Sequence, residues 1–223
     1  MATSSRKPRP RTRPAVRAAG AVPADATVDG RRAWRDRNLT AVVDALLDLF
    51  AEGNLRPGAD EIAARSGVSR RSVFRYFDDL DGLDRVAIER QLARVSHLFD
   101  VGDLGKGALE ARVDRLVAQR LRLFEAIMPV ARVSRLRAPF EPVVAEELAR
   151  STGLFRKQVE LHFADELRSL GRIQRNAVLG AAEVLCSFEA YDLLRQGHGQ
   201  TPKQIGDVMR VGLTGLLAGA RRR

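Results

Sequence analysis

Gly67 to Phe77 reads GVSRRSVFRYF: three arginines, three aromatics, two serines and no acid in eleven residues. An arginine fork matches the O6 and N7 edge of guanine or clamps a phosphate. Serine and tyrosine hydroxyls commonly bond phosphate oxygens. Val73 and Phe77, four apart, fix the inward side of a short helix over 70–77, with Phe74 beside Val73 and partly buried. That leaves Ser69, Arg70, Arg71, Ser72, Arg75 and Tyr76 as candidate DNA contacts. First-turn residues reach furthest into a groove, so Arg70 and Arg71 are the base readers and Arg75 touches backbone. The bland alternative is a solvated basic face.

Other reactive residue types carry less. His97, His162 and His198 fall on separate elements without ligand spacing, so no metal site is expected. Cys186 sits in the apolar run AAEVLCSFEAYDLL and reads as a buried filler, a thiol sensor being the alternative. No G-x-S-x-G, phosphate loop or HExxH occurs, and the acids lie at helical spacing beside arginines. Neither a cofactor nor an enzyme activity is expected.

The elements that must position these residues are helical throughout. Leu39, Val42, Val43, Leu46, Leu49 and Phe50 recur at steps of three and four, one face of an amphipathic helix from Arg31. Gly53 ends it, and Trp34 near its start is expected to pack on the small domain. A helix over 59–66 precedes the opening stretch. Ala63 lets the next helix cross closely, Gly67 takes the left-handed turn, Val68 plugs the angle and Ser69 caps the second helix. Helices are then expected over 82–100, 108–127, a short one from Pro129 to before Pro139, 140–167, 172–196 and from Pro202 to about Gly219. VGDLGKG is a glycine-rich joint. The fold class is all-α.

The chain of 223 residues carries 38 basic and 28 acidic side chains, a net charge of +10, which favours polyanionic partners. Residues 1–35 hold nine Lys/Arg against two acids. Residues 1–30, rich in Pro, Arg, Ala and Ser, read as a disordered basic arm that lies along DNA or only solubilises the chain. Residues 31–80 are the small helical domain and 81–223 the larger one. No apolar run is long enough to span a bilayer, the N-terminus has no secretory core, and one cysteine fits a reducing cytoplasm.

DEIAARSGVSRRSVFRYF, Asp60 to Phe77, resembles the helix-turn-helix of TetR-family transcriptional regulators, and ALLDLFAEGN before it resembles the family's first helix. The resemblance implies a three-helix DNA-binding domain and a larger helical effector-binding domain. It implies a homodimer through the helices at about 172–196 and 202–219, which carry Ile205, Val208, Met209, Gly212, Leu213, Leu216 and Leu217, with glycines at 206, 212, 215 and 219. It also implies a repressor released from a palindromic operator when a small molecule moves helix 82–100 as a lever about VGDLGKG. The effector site would lie among 108–127, 140–167 and 172–196, with Arg120, Phe124, Phe155 and Phe188 as the favoured contacts and Met128, Phe163 and Tyr191 nearby. Arg120 either meets an acidic ligand or snorkels outward. Two departures stand out. Phe74 replaces the usual phosphate-bonding Tyr, and Leu80 the usual Lys. Asp78, Asp79, Asp81 and Asp84 then add charge that repels DNA, leaving the arginines and the arm to supply affinity. The competing reading is a constitutive architectural DNA-binding protein without an effector.

Overall fold

The computed structural model describes residues 24–54, 56–77 and 80–221, and every regular element among them is helical. In chain order these are α1 (Ala24–Ala51), α2 (Ala59–Ser66), α3 (Arg70–Tyr76), α4 (Leu80–Val95), a 3₁₀ turn (Ser96–Leu98), α5 (Leu109–Arg137), α6 (Pro142–His162), α7 (Ala164–Arg168), α8 (Arg172–Leu185), α9 (Phe188–Asp192), a π-helical turn (Leu193–Gly197) and α10 (Pro202–Arg221). Residues 38–223 form one compact unit. Before it, α1 begins at Ala24, and its side chains from Arg32 to Arg37 are exposed. Trp34 is among them, 51% exposed. Residues 1–23 of the expected basic arm lie outside the described residues.

Two apolar clusters hold the unit together. The smaller gathers Val42, Val43, Leu46 and Phe50 of α1 with Ile62, Val68, Val73, Phe77, Leu83 and Ala87, and Val133 of α5 completes it. The larger joins α5, α6, α8, α9 and α10 through residues such as Leu116, Phe124, Phe163 and Leu213. Thus α5 contributes to both clusters. A buried ion pair reinforces the junction: Arg137 of α5 donates to both carboxylate oxygens of Asp84 in α4, one at 3.1 Å.

Helix breaks differ from the sequence expectation at three places. α5 runs unbroken through residue 129, where a new helix was expected. A proline inside a helix forgoes a backbone bond and costs about 3 kcal/mol. Burial of Phe124 before it and of Ala131 and Val133 after it offsets that cost. The expected helix 172–196 instead breaks at Cys186. Ser187 accepts the Ala190 N–H at 3.1 Å and starts α9, which turns Phe188 and Tyr191 fully inward. Likewise 140–167 divides at Phe163 between α6 and α7.

Candidate functional site

The turn between α2 and α3 is built from local constraints. Gly67 has φ +68°, the left-handed region that a side chain resists. Val68 is buried between the helices. The Ser69 hydroxyl accepts the Ser72 N–H at 3.2 Å, satisfying a donor that the first turn leaves free. At the other helix, Glu61 accepts the Gly58 N–H at 2.7 Å and secures the start of α2. Val73 and Phe77 are buried, so the face of α3 carrying Arg70, Arg71, Phe74 and Arg75 is exposed.

The outward side chains are not equivalent. Arg70 reaches back to Asp60 of α2 at 3.0 Å, both partners well exposed, and its guanidinium stands 5.8 Å from the centre of the Phe74 ring. Arg71 makes no ion pair with another described residue. Arg75 lies over the Tyr76 ring at 5.3 Å and donates to Ser72 Oγ at 3.4 Å. Tyr76 is half-buried against the small cluster, and its hydroxyl accepts from Asn38 Nδ2 at 3.2 Å. It therefore faces α1 as much as the exterior. Phe74 is 47% exposed and is a member of neither buried cluster.

Asp84 corrects one electrostatic expectation. It is buried and engaged by Arg137, so it does not add negative charge to the face beside α3. Asp78, Asp79 and the side chains of Leu80 and Asp81 lie outside the described residues.

A second feature lies among α4, α5 and α6. A partly open cavity of about 110 Å³ is lined mainly by apolar side chains of these helices, with Phe50 of α1 and Phe188 of α9 also on its wall. Its polar lining includes Gln91, Ser151, Thr152 and the Asp84–Arg137 pair. Of the four favoured effector residues, Phe155 and Phe188 line it, whereas Phe124 and Arg120 stand behind them. Phe124 supports both rings edge-on, at 5.9 and 5.7 Å. Arg120 does not snorkel outward. It is fully buried, 4.5 Å above the Phe155 ring, and bonds Gln119 Oε1 at 2.5 Å and Gln158 Oε1 at 2.8 Å. Burial pulls its pKa down to about 10, with no carboxylate among the described residues paired to it. Cys186, close to this cation, is buried, and loss of solvation pushes its thiol up to about 11. Such a thiol is held in its unreactive protonated form.

The glycine-rich joint is latched by His162. The Gly105 N–H donates to His162 Nδ1 at 3.1 Å, and His162 Nε2 lies 2.8 Å from the Arg112 carbonyl. This arrangement needs a neutral ring with its proton on Nε2. Arg112 in turn is bidentate to buried Glu166 at 2.8 and 2.5 Å. Gly105 has φ +76°, and a Cβ there would stand 3.3 Å from the Leu161 carbonyl.

Residues that sequence spacing did not single out include Asp60, Asn38 and Arg137, each a partner of a chosen residue or of α4. Their pairings span 10, 38 and 53 positions, and no local pattern encodes such distances. In α10, Ile205, Met209, Leu213 and Leu217 belong to the intramolecular core, which removes them from the expected seam. Gly206 and Gly212 meet Leu121 and Leu185 of the same chain. What α8 and α10 leave outside is Ile173, Val184, Val208 and Val211, of which Ile173 and Val211 are 83% and 76% exposed.

No family profile and no curated protein matches the chain. Solved structures do. A TetR-family transcriptional regulator from Streptomyces coelicolor superposes with a TM-score of 0.65 at 18% identity, covering 84% of this chain and 83% of that one. A transcriptional regulator from Rhodococcus sp. Rha1 gives 0.59 at 18% identity, over 83% of this chain and 96% of its own. A Mesorhizobium loti protein assigned to the TetR family gives 0.56 at 15% identity, over 83% and 97%. The chain has the all-α fold of TetR-family regulators.

Proposed function

We propose that this protein is a sequence-specific DNA-binding transcriptional regulator, a repressor released from a palindromic operator by a small molecule. The observation that carries the reading is the exposed face of α3, where Arg70, Arg71 and Arg75 project from a helix fixed by the Gly67 turn and the Ser69 cap. That combination suits insertion of α3 into a major groove, with arginine forks on base edges and phosphates. The solved structures of regulators that share the fold support the same assignment. Homodimerisation would cover the outward apolar residues of α8 and α10, and two-fold symmetry would place two copies of α3 on successive grooves.

The cavity suits an apolar effector. α4 follows α3 directly and forms one wall of the cavity. A ligand that fits best with α4 displaced would favour a state whose α3 spacing no longer matches the operator. Two measurements test this. Sequences are selected from random DNA by the full chain, and the bound site is footprinted with and without candidate effectors. A palindromic protected site supports the reading. Protection without sequence preference sinks it in favour of an architectural DNA-binding protein.

A further inference from the structure

Phe74 is a large apolar side chain on the polar face of α3. It stands four residues after Arg70, which places both on one row of the helix surface, while Arg71 and Arg75 form the adjacent row. Nearly half of its surface is open, and no aromatic ring of another described residue stacks on it. Among the described residues, the Arg70 guanidinium stands beside its ring, 5.8 Å from the ring centre. Its side chain has no hydroxyl for a phosphate. In the major groove, the one apolar group on a base edge is the thymine 5-methyl.

We propose that Phe74 reads thymine: its ring packs against the 5-methyl group of a thymine in each half-site, next to the base or phosphate taken by Arg70. The inference rests on the DNA-binding reading above and adds a specificity residue to it. The Arg70 contact sharpens it. The guanidinium beside the ring limits where the ring can swing, and once Arg70 is seated on its base or phosphate the methyl must come to a fixed place. The thymine read by Phe74 therefore has a constant offset from the position set by Arg70.

Deoxyuridine lacks only the methyl group, which makes the test specific. The selected operator is synthesised with each thymine replaced singly by deoxyuridine, and affinities are measured for the full wild-type chain, Phe74→Ala and Phe74→Leu. One thymine per half-site is expected to weaken wild-type binding by about 4-fold on replacement, the worth of one buried methyl. Phe74→Ala should be indifferent to that same replacement, and Phe74→Leu should keep part of the sensitivity. Wild-type indifference to deoxyuridine at every position overturns the proposal, as does a Phe74→Ala variant with undiminished sensitivity. An operator with no thymine within reach of α3 overturns it too. A chain that selects no DNA sequence at all refutes the DNA-binding reading itself, a result recognisable before any substituted duplex is made.

Discussion

Arg70 and Arg71 are neighbours with different commitments. Arg70 is paired to Asp60, but both are exposed, and such pairs contribute only about 0–1 kcal/mol. A guanine edge or phosphate therefore competes easily for it. Arg71 has no ion-pair partner among the described residues to leave, so on the proposed reading its DNA contact would be the more fully realised. Arg71→Ala is expected to cost about 1–3 kcal/mol of operator binding and to relax preference at one base pair per half-site. Isotherms over a set of single-base operator variants check both effects, and a uniform loss across all variants would reassign Arg71 to the backbone. A different residue-scale expectation concerns His162. Burial, with Arg115, Arg112 and Arg120 nearby, holds its imidazole below the ordinary range, against the pull of the Arg112 carbonyl. In the unfolded chain it titrates near 6.5. Between that value and the lower folded one, the unfolded state carries the extra proton. Stability is therefore complete above about pH 6.5 and falls as pH drops toward the folded value. Urea midpoints measured from pH 7 to 5 should decline in the wild type. They should decline less in His162→Gln, whose amide can still bond the Gly105 N–H and the Arg112 carbonyl.

At the scale of elements, α2, the turn and α3 were legible because each residue has a local reason. Gly67 is needed for a left-handed φ, Ser69 for a free N–H, Val68 for the gap between the helices. Gly67→Val is expected to destabilise the protein by about 1–2 kcal/mol through the left-handed penalty alone. It should weaken DNA binding further by tilting α3. Thermal melts paired with binding isotherms separate the two, and an unchanged melting temperature would show that the turn relaxes without strain. The breaks in α5 and near α8 were not legible, since tertiary burial settles them. A proline at 129 reads as a stop, yet the faces on either side of it belong to one packed helix. Conversely, the apolar periodicity over 172–196 conceals a break at Cys186, because Phe188 and Tyr191 are apolar whether or not the helix turns. The same limit applies to the site. Arg120 was picked out as a charge amid apolar residues, but whether it lines a cavity or stands behind one depends on Phe155, 35 positions away.

At the scale of the molecule, charge and coupling come from different places. Residues 1–23 carry six Lys/Arg and no acid. Their deletion leaves α1 intact and should lower operator affinity and flatten its salt dependence by as much as about 5 in log–log slope. An unchanged slope would mean the arm contacts no phosphate. On the proposed reading, coupling would run through α5, which packs on both clusters and holds α4 by the Arg137–Asp84 pair. The cavity lies against that pair. On the proposed reading, whatever occupies it would press on the helix that follows α3, so occupancy itself, rather than any one contact of a ligand, would be the signal. A side chain should then replace the ligand. Ser151 lines the cavity from α6 and is only half-buried, so Ser151→Phe can fill part of the 110 Å³ without severing a core contact. This variant is expected to bind the operator at least about 10-fold more weakly, a population shift of some 1.4 kcal/mol, while melting no lower than the wild type. Weak binding with a lowered melting temperature would mean mere damage. Undiminished binding with the cavity filled would show that α4 does not respond to occupancy, and the effector would then have to act elsewhere.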